Sequence, residues 1–111
     1  MAKKTSPSRE KSSGQTAGTT PSKSCKKVYP ITNELGFHAR AAAQFVKIAS
    51  RYQSEVTVKK DSREVNGKSI MGILMLAAPK GSRVEITTEG DDCREALREL
   101  GELIENKFGE K

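Results

Sequence analysis

The first 27 residues contain no Val, Ile, Leu or aromatic side chain, so whatever this chain folds into must be built from the remaining 84. Ser, Thr, Lys and Gly dominate that opening stretch. Such a segment cannot bury enough apolar surface to offset the entropy of ordering it. The pattern predicts a disordered, basic Ser/Thr/Lys-rich tail over residues 1–26 and one domain over residues 27–111.

The basicity of the chain lies in the same stretch. The net charge is +6 and the pI about 9.5. Residues 1–27 hold seven basic side chains and one acid, whereas residues 28–111 hold 13 of each. The excess belongs to the tail and not to the domain, which removes most of the argument for nucleic acid that such a pI carries. No run of about 20 apolar residues is present, so no membrane insertion is expected. The start has charge but no apolar stretch behind it, so the expected location is cytoplasmic. The two cysteines, Cys25 and Cys93, are too few and too far apart in sequence for a metal cluster or a disulfide framework, and free thiols are expected.

The remaining residues are patterned throughout. Val28 to Thr32 is a strand candidate with Tyr29 and Ile31 on one face, and Pro30 predicts that it lies at an edge. After the turn-rich Asn33-Glu34-Leu35-Gly36, the Ala-rich stretch Ala39 to Tyr52 predicts a helix with Ala42, Ala43, Val46 and Ala49 on its apolar side. Glu55 to Lys59, Arg63 to Asn66 and Val84 to Thr88 are strands by alternation. Ser69 to Ala77 is a short apolar helix stopped by Pro79 and Gly81. Asp92 to Phe108 keeps helical spacing, with Asp92 and Glu95 as a capping pair and Gly109 as the stop. The order β-α-β-β-α-β-α predicts an α+β fold, an antiparallel sheet with its helices on one face. A ferredoxin-like plait shares most of this order.

His38 is the only histidine, so no second one can complete a metal site. It stands where the loop ends and the first helix begins, in Gly36-Phe37-His38-Ala39-Arg40-Ala41-Ala42-Ala43. The first amides of a helix, here those of Ala39, Arg40 and Ala41, lack intrahelical partners and favour an anion such as phosphate. Arg40 brings a guanidinium to the same end. A neutral imidazole there is either a nucleophile able to carry a labile phosphoryl group or simply a polar residue at a helix start.

The second feature is Gly67-Lys68-Ser69-Ile70-Met71-Gly72-Ile73-Leu74-Met75-Leu76. Ser69 can cap the short helix. Ile73, Leu76 and Ala77 can face the sheet, which leaves Ile70, Met71, Leu74 and Met75 either as further core or as an exposed patch for a partner. A phosphate on Ser69 would suit the helix start and would set about −1.5 to −2 charges beside that patch.

These two segments, in this order, resemble the HPr family, the histidine phosphocarriers of the bacterial phosphoenolpyruvate-dependent phosphotransferase system. G-F-H-A-R-A-A-A is similar to the family's G-[LIF]-H-x-R-P-A-A motif, and K-S-I-M-G-I-L-M-L to its regulatory serine motif. The resemblance implies an open-faced β-sandwich, a four-stranded antiparallel sheet of order 1-4-2-3 with three helices on one face. It implies a carrier, not an enzyme, with no cofactor. His38 would be phosphorylated on Nδ1 by enzyme I, Arg40 would stabilise the phosphoryl group, and Ser69 would be the target of the HPr kinase/phosphorylase in lineages that have it. Phe37, Ile70, Met71, Leu74 and Met75 would dock enzyme I and enzyme IIA-type proteins. Ala41 stands where the family usually has Pro, a departure shared with its nitrogen-related branch, so sugar uptake and nitrogen or carbon regulation both stay open. The small size and balanced charge suit a monomer.

The competing reading is a nucleic-acid-binding α/β plait with a basic arm. It requires aromatic side chains on the sheet for base stacking, and no strand carries that motif.

Overall fold

The computed structural model describes residues 23–110. The elements run in the expected order: β1 (Ser24–Pro30), α1 (Ala39–Ala49), β2 (Glu55–Lys60), β3 (Arg63–Asn66), α2 (Ile70–Leu76), β4 (Arg83–Glu89) and α3 (Cys93–Glu105), followed by a 3-10 turn at Lys107–Gly109. The strands form one four-stranded antiparallel sheet in the order β1-β4-β2-β3. Pro30 lies on an edge strand, where its missing N–H costs no ladder bond.

β1 begins earlier than its apolar residues suggest. Ser24, Cys25, Lys26 and Lys27 pair with Glu89, Thr88, Thr87 and Ile86 of β4. The tail boundary at residues 26 and 27 is therefore corrected to a point before Ser24. Ladder bonds are made by the backbone, so an edge strand continues through polar side chains once β4 offers a template. The disorder expected for residues 1–22 lies outside the described residues.

Alternation in β2 and β4 turns Val56, Val58, Val84, Ile86 and Thr88 to one face, where all are buried. Helix α1 sets Ala41, Ala42, Phe45 and Ala49 into this core, α3 sets Ala96, Leu100 and Ile104, and α2 adds Ile73 and Leu76. The apolar face of α1 is rotated from the expected set. Phe45 is fully buried while Ala43 is exposed, because a phenyl ring has far more apolar area to remove from water than a methyl group. Ala77 is likewise exposed, and at φ 53° it caps α2 in the left-handed region instead of facing the sheet. Gly101 lets α3 settle on β1, since a Cβ there would run into the Tyr29 hydroxyl.

Asp92 does not act as the expected helix cap. Its carboxylate accepts the backbone N–H of Gln53 at 2.8 Å and of Ser54 at 2.9 Å, together with the Ser54 hydroxyl. These bonds, the hydroxyl first, hold the Asp92 carboxyl below its ordinary range. The side chain thereby ties the entry of β2 to the entry of α3.

Candidate functional site

The loop from β1 to α1 is shaped by Asn33 and Gly36. Asn33 is 1% exposed. Its side-chain amide donates one hydrogen to the Gly36 carbonyl at 2.8 Å and the other to Glu110 Oε2 at 2.7 Å. Gly36 has φ 65°, and a Cβ there would collide with the Ala78 carbonyl, so glycine is required twice over. The next amide, Phe37 N–H, donates to that same Ala78 carbonyl at 2.9 Å. The loop is thus latched to the end of α2.

This turn sends Phe37 inward. Its ring packs edge-on against Phe45 at 5.4 Å and at a 44° tilt against Phe108 at 5.1 Å, and it is 5% exposed. The expectation that Phe37 contributes docking surface is corrected: it is a core residue. Leu35, two residues earlier, is the exposed one at 66%. Nothing in a linear pattern distinguishes them, because the reversal depends on the left-handed Gly36.

His38 is the N-cap residue of α1, in extended conformation at φ −81° and ψ 177°, and makes no side-chain cap bond. The imidazole is therefore not spent on the helix, and the amides of Ala39, Arg40 and Ala41 start α1 without a side-chain cap. Arg40 and Ala39 are exposed on this first turn, while Ala41 is buried. The Pro-to-Ala departure at residue 41 thus falls on an inward-facing side chain.

His38 Nε2 lies 3.0 Å from Glu110 Oε2. The hydrogen bond from Asn33, opposed by burial and reinforced by the bond from His38, holds the Glu110 carboxyl below the ordinary glutamate range. An ionised carboxylate can only accept, so Nε2 carries the proton and donates it. In neutral imidazole the lone pair then belongs to Nδ1. Neither Asn33 nor Glu110 stood out in the sequence, because they come together across a separation of 77 residues.

The structure predicts a cost for disturbing this pair. Asn33→Ala leaves the Gly36 carbonyl and the Glu110 carboxylate without their shared donor and is expected to lower stability by about 1–3 kcal/mol. Because the Glu110 carboxyl is depressed in the folded state, its contribution is complete at neutral pH and is lost as pH falls through the folded value. Urea denaturation at neutral and acid pH should therefore show the variant's deficit shrinking in acid.

On α2, Ser69 is the N-cap, and its Oγ accepts the Gly72 N–H at 3.1 Å. Ile70, Met71 and Met75 are exposed, whereas Leu74 is half-buried and packed against the core. The patch is therefore three residues wide on α2. A shallow depression lined by Leu35, Phe37, Ala77, Ala78 and Pro79 joins the end of α2 to the loop before His38. Helices α1 and α2 pack side by side, so the Ser69 cap and the His38 cap belong to neighbouring elements.

Tyr29, Phe37, Phe45 and Phe108 are buried and Tyr52 is half-buried, so no strand offers an aromatic stacking surface for bases. Among the described residues, no helix is long and apolar enough to cross a membrane, and no group of three or more His, Cys, Asp or Glu is placed to hold a metal ion.

Residues 25–106 match the family model described as the PTS HPr component phosphorylation site. The chain is 52% identical over 85 residues to the phosphocarrier protein HPr of Neisseria meningitidis, covering 77% of this chain and 96% of that one. It is 52% identical over 81 residues to HPr of Pseudomonas aeruginosa, covering 72% and 90%. The crystal structure of HPr-C-His from Thermoanaerobacter tengcongensis superposes with a TM-score of 0.76 at 47% identity, covering 78% of this chain and 98% of that one. HPr of Bacillus anthracis does so with a TM-score of 0.70 at 42% identity, covering 73% and 96%. The matching family model, the relatives at about half identity and the shared open sheet agree: the chain belongs to the HPr family, phosphocarriers of the phosphotransferase system and not enzymes.

Proposed function

We propose that His38 Nδ1 accepts a phosphoryl group from phospho-enzyme I and hands it to a histidine of an enzyme IIA-type partner. The observation that carries this reading is the hydrogen bond of Nε2 to Glu110. It leaves Nδ1 as the basic nitrogen at the head of α1. In the transfer, the bond from phosphorus to the donor nitrogen breaks as the bond to His38 Nδ1 forms, and the proton stays on Nε2. The ring that gains phosphorus while keeping that proton is cationic, and the Glu110 carboxylate stabilises it. The phosphoryl oxygens fall to the α1 amides and the Arg40 guanidinium. A cationic ring is also a good leaving group, so the phosphoryl group stays transferable.

Intact mass after incubation with enzyme I and phosphoenolpyruvate tests this. The expected result is one added phosphate that acid removes, and with one histidine in the chain it lies on His38. An acid-stable phosphate, or none, would overturn it.

The exposed Ile70, Met71 and Met75, with Leu35 beside the loop, form the docking surface for both partners. Ser69 is its regulatory phosphorylation site. Since the Ser69 hydroxyl already caps α2, a carboxylate there keeps the helix while adding negative charge next to the patch. Ser69→Asp is expected to weaken enzyme I binding about tenfold, ~1.4 kcal/mol, read by titration calorimetry; unchanged affinity would count against the patch. Ala41, at the family's proline position, favours the branch that serves nitrogen or carbon regulation over sugar uptake.

A further inference from the structure

At the other end of the sheet, the two cysteines meet. Cys25 Sγ and Cys93 Sγ are 2.9 Å apart, both are free, and 68 residues separate them in sequence. That distance is about 0.9 Å more than the ~2.05 Å of a formed sulfur–sulfur bond. The approach is held by the frame around it. Cys25 is paired with Thr88 across the β1–β4 ladder. The fully buried Thr88 donates its hydroxyl to the Cys93 carbonyl at 2.8 Å. One residue therefore holds the backbones of both cysteines. Cys93 is 1% exposed, whereas Cys25 is half-buried and lines a shallow groove with Lys27, Arg94 and Leu97.

We propose that Cys25 and Cys93 are a reversible dithiol–disulfide pair, a redox modification site that staples β1 to α3. The oxidant is a small peptide disulfide. The Cys25 thiolate attacks it, giving a mixed disulfide and releasing one thiol. The Cys93 thiolate then attacks the Cys25 sulfur, closes the intramolecular bond and releases the second thiol. The two protons given up by the cysteines end on the two released thiols. The order of attack follows from access. The hydrogen bond with Cys25, and then burial, push the Cys93 thiol up, which suits it to act second, once the mixed disulfide is beside it.

The closed loop, residues 25–93, takes in all four strands and the first two helices, and constraint of the unfolded chain grows with loop length. For a domain of this size the oxidised form should melt roughly 10–20 °C above the reduced form. The site is also remote from His38. From Cys25 to Pro30 the strand runs about 17 Å at its usual rise per residue, and the His38 loop begins beyond Pro30.

The test uses the full chain, reduced and then incubated with glutathione disulfide. The expected product is a monomer lighter by two hydrogens, with no thiol left to alkylate. Peptide mapping should join Cys25 to Cys93, and dithiothreitol should reverse the change. The melting difference between oxidised and reduced forms should vanish in Cys25→Ser. In Cys93→Ala, a glutathione adduct should persist on Cys25. Two alkylatable thiols after oxidation, a Cys25-linked dimer, an unresolved adduct on the unmutated chain, or an unchanged melting temperature would each overturn the proposal.

Discussion

A His38→Ala variant should take up no phosphate from phosphoenolpyruvate and enzyme I, while keeping its fold. The loss is complete because the chain has no other histidine. The fold survives for a reason specific to this helix start. Replacing an N-cap side chain usually costs about 0.5–2 kcal/mol through the lost cap bond, but the His38 side chain makes no such bond. Its one polar partner, Glu110, keeps the bond from Asn33. The expected stability loss is about 1 kcal/mol, that of an ordinary hydrogen bond. Intact mass and thermal melting, measured on the same sample, separate the two effects. A variant that still gains acid-labile phosphate would sink the assignment of His38, and one that unfolds would make the histidine structural.

Phe45→Ala should do the opposite and take the fold with it. Phe45 is fully buried on the inward face of the same helix, edge-on to Phe37 and inside the core. Truncating such a ring costs about 3–5 kcal/mol, through lost transfer energy and the cavity left behind. Small domains rarely hold more than about 5–15 kcal/mol in total, so a large share of stability disappears. The urea midpoint should fall with little change in the slope of the transition. Because Phe37 rests on Phe45 and directly precedes His38, phosphate uptake should also slow at temperatures where the variant is still folded. A shift under 1 kcal/mol would mean the core closes around the gap.

Helix starts are easier to read from sequence than the contacts that support them. Periodicity reports which side of an element is apolar, and so the strands, α2 and α3 lay close to where alternation and helical spacing put them. The placement of His38, Arg40 and Ser69 at helix starts is legible because each stands near a boundary marked by Gly or a cap residue. Contacts made across the chain left no such mark. Asn33 with Glu110, Cys25 with Cys93 and Asp92 with Ser54 are pairs that a linear pattern assigns to loops, to free thiols or, for Asp92, to a helix cap. The early start of β1 was hidden for a related reason. Its first residues are recruited by the backbone of β4, not by their own side chains. Phe37 is buried and Leu35 exposed because one left-handed glycine, invisible to periodicity, decides which of them faces solvent.

The direction of β1 makes the two ends of the domain unequal as handles. The strand runs from Ser24, across from Glu89, to Pro30, whose continuation reaches Asn33, Gly36 and His38. Glu110, by contrast, ends in contact with His38 itself. A reporter or surface tether attached ahead of Ser24 therefore leaves through the pole facing away from the imidazole, and immobilised molecules would present their reactive ends outward. The same cargo fused after Glu110 would crowd the imidazole and pull on the carboxylate that orients it.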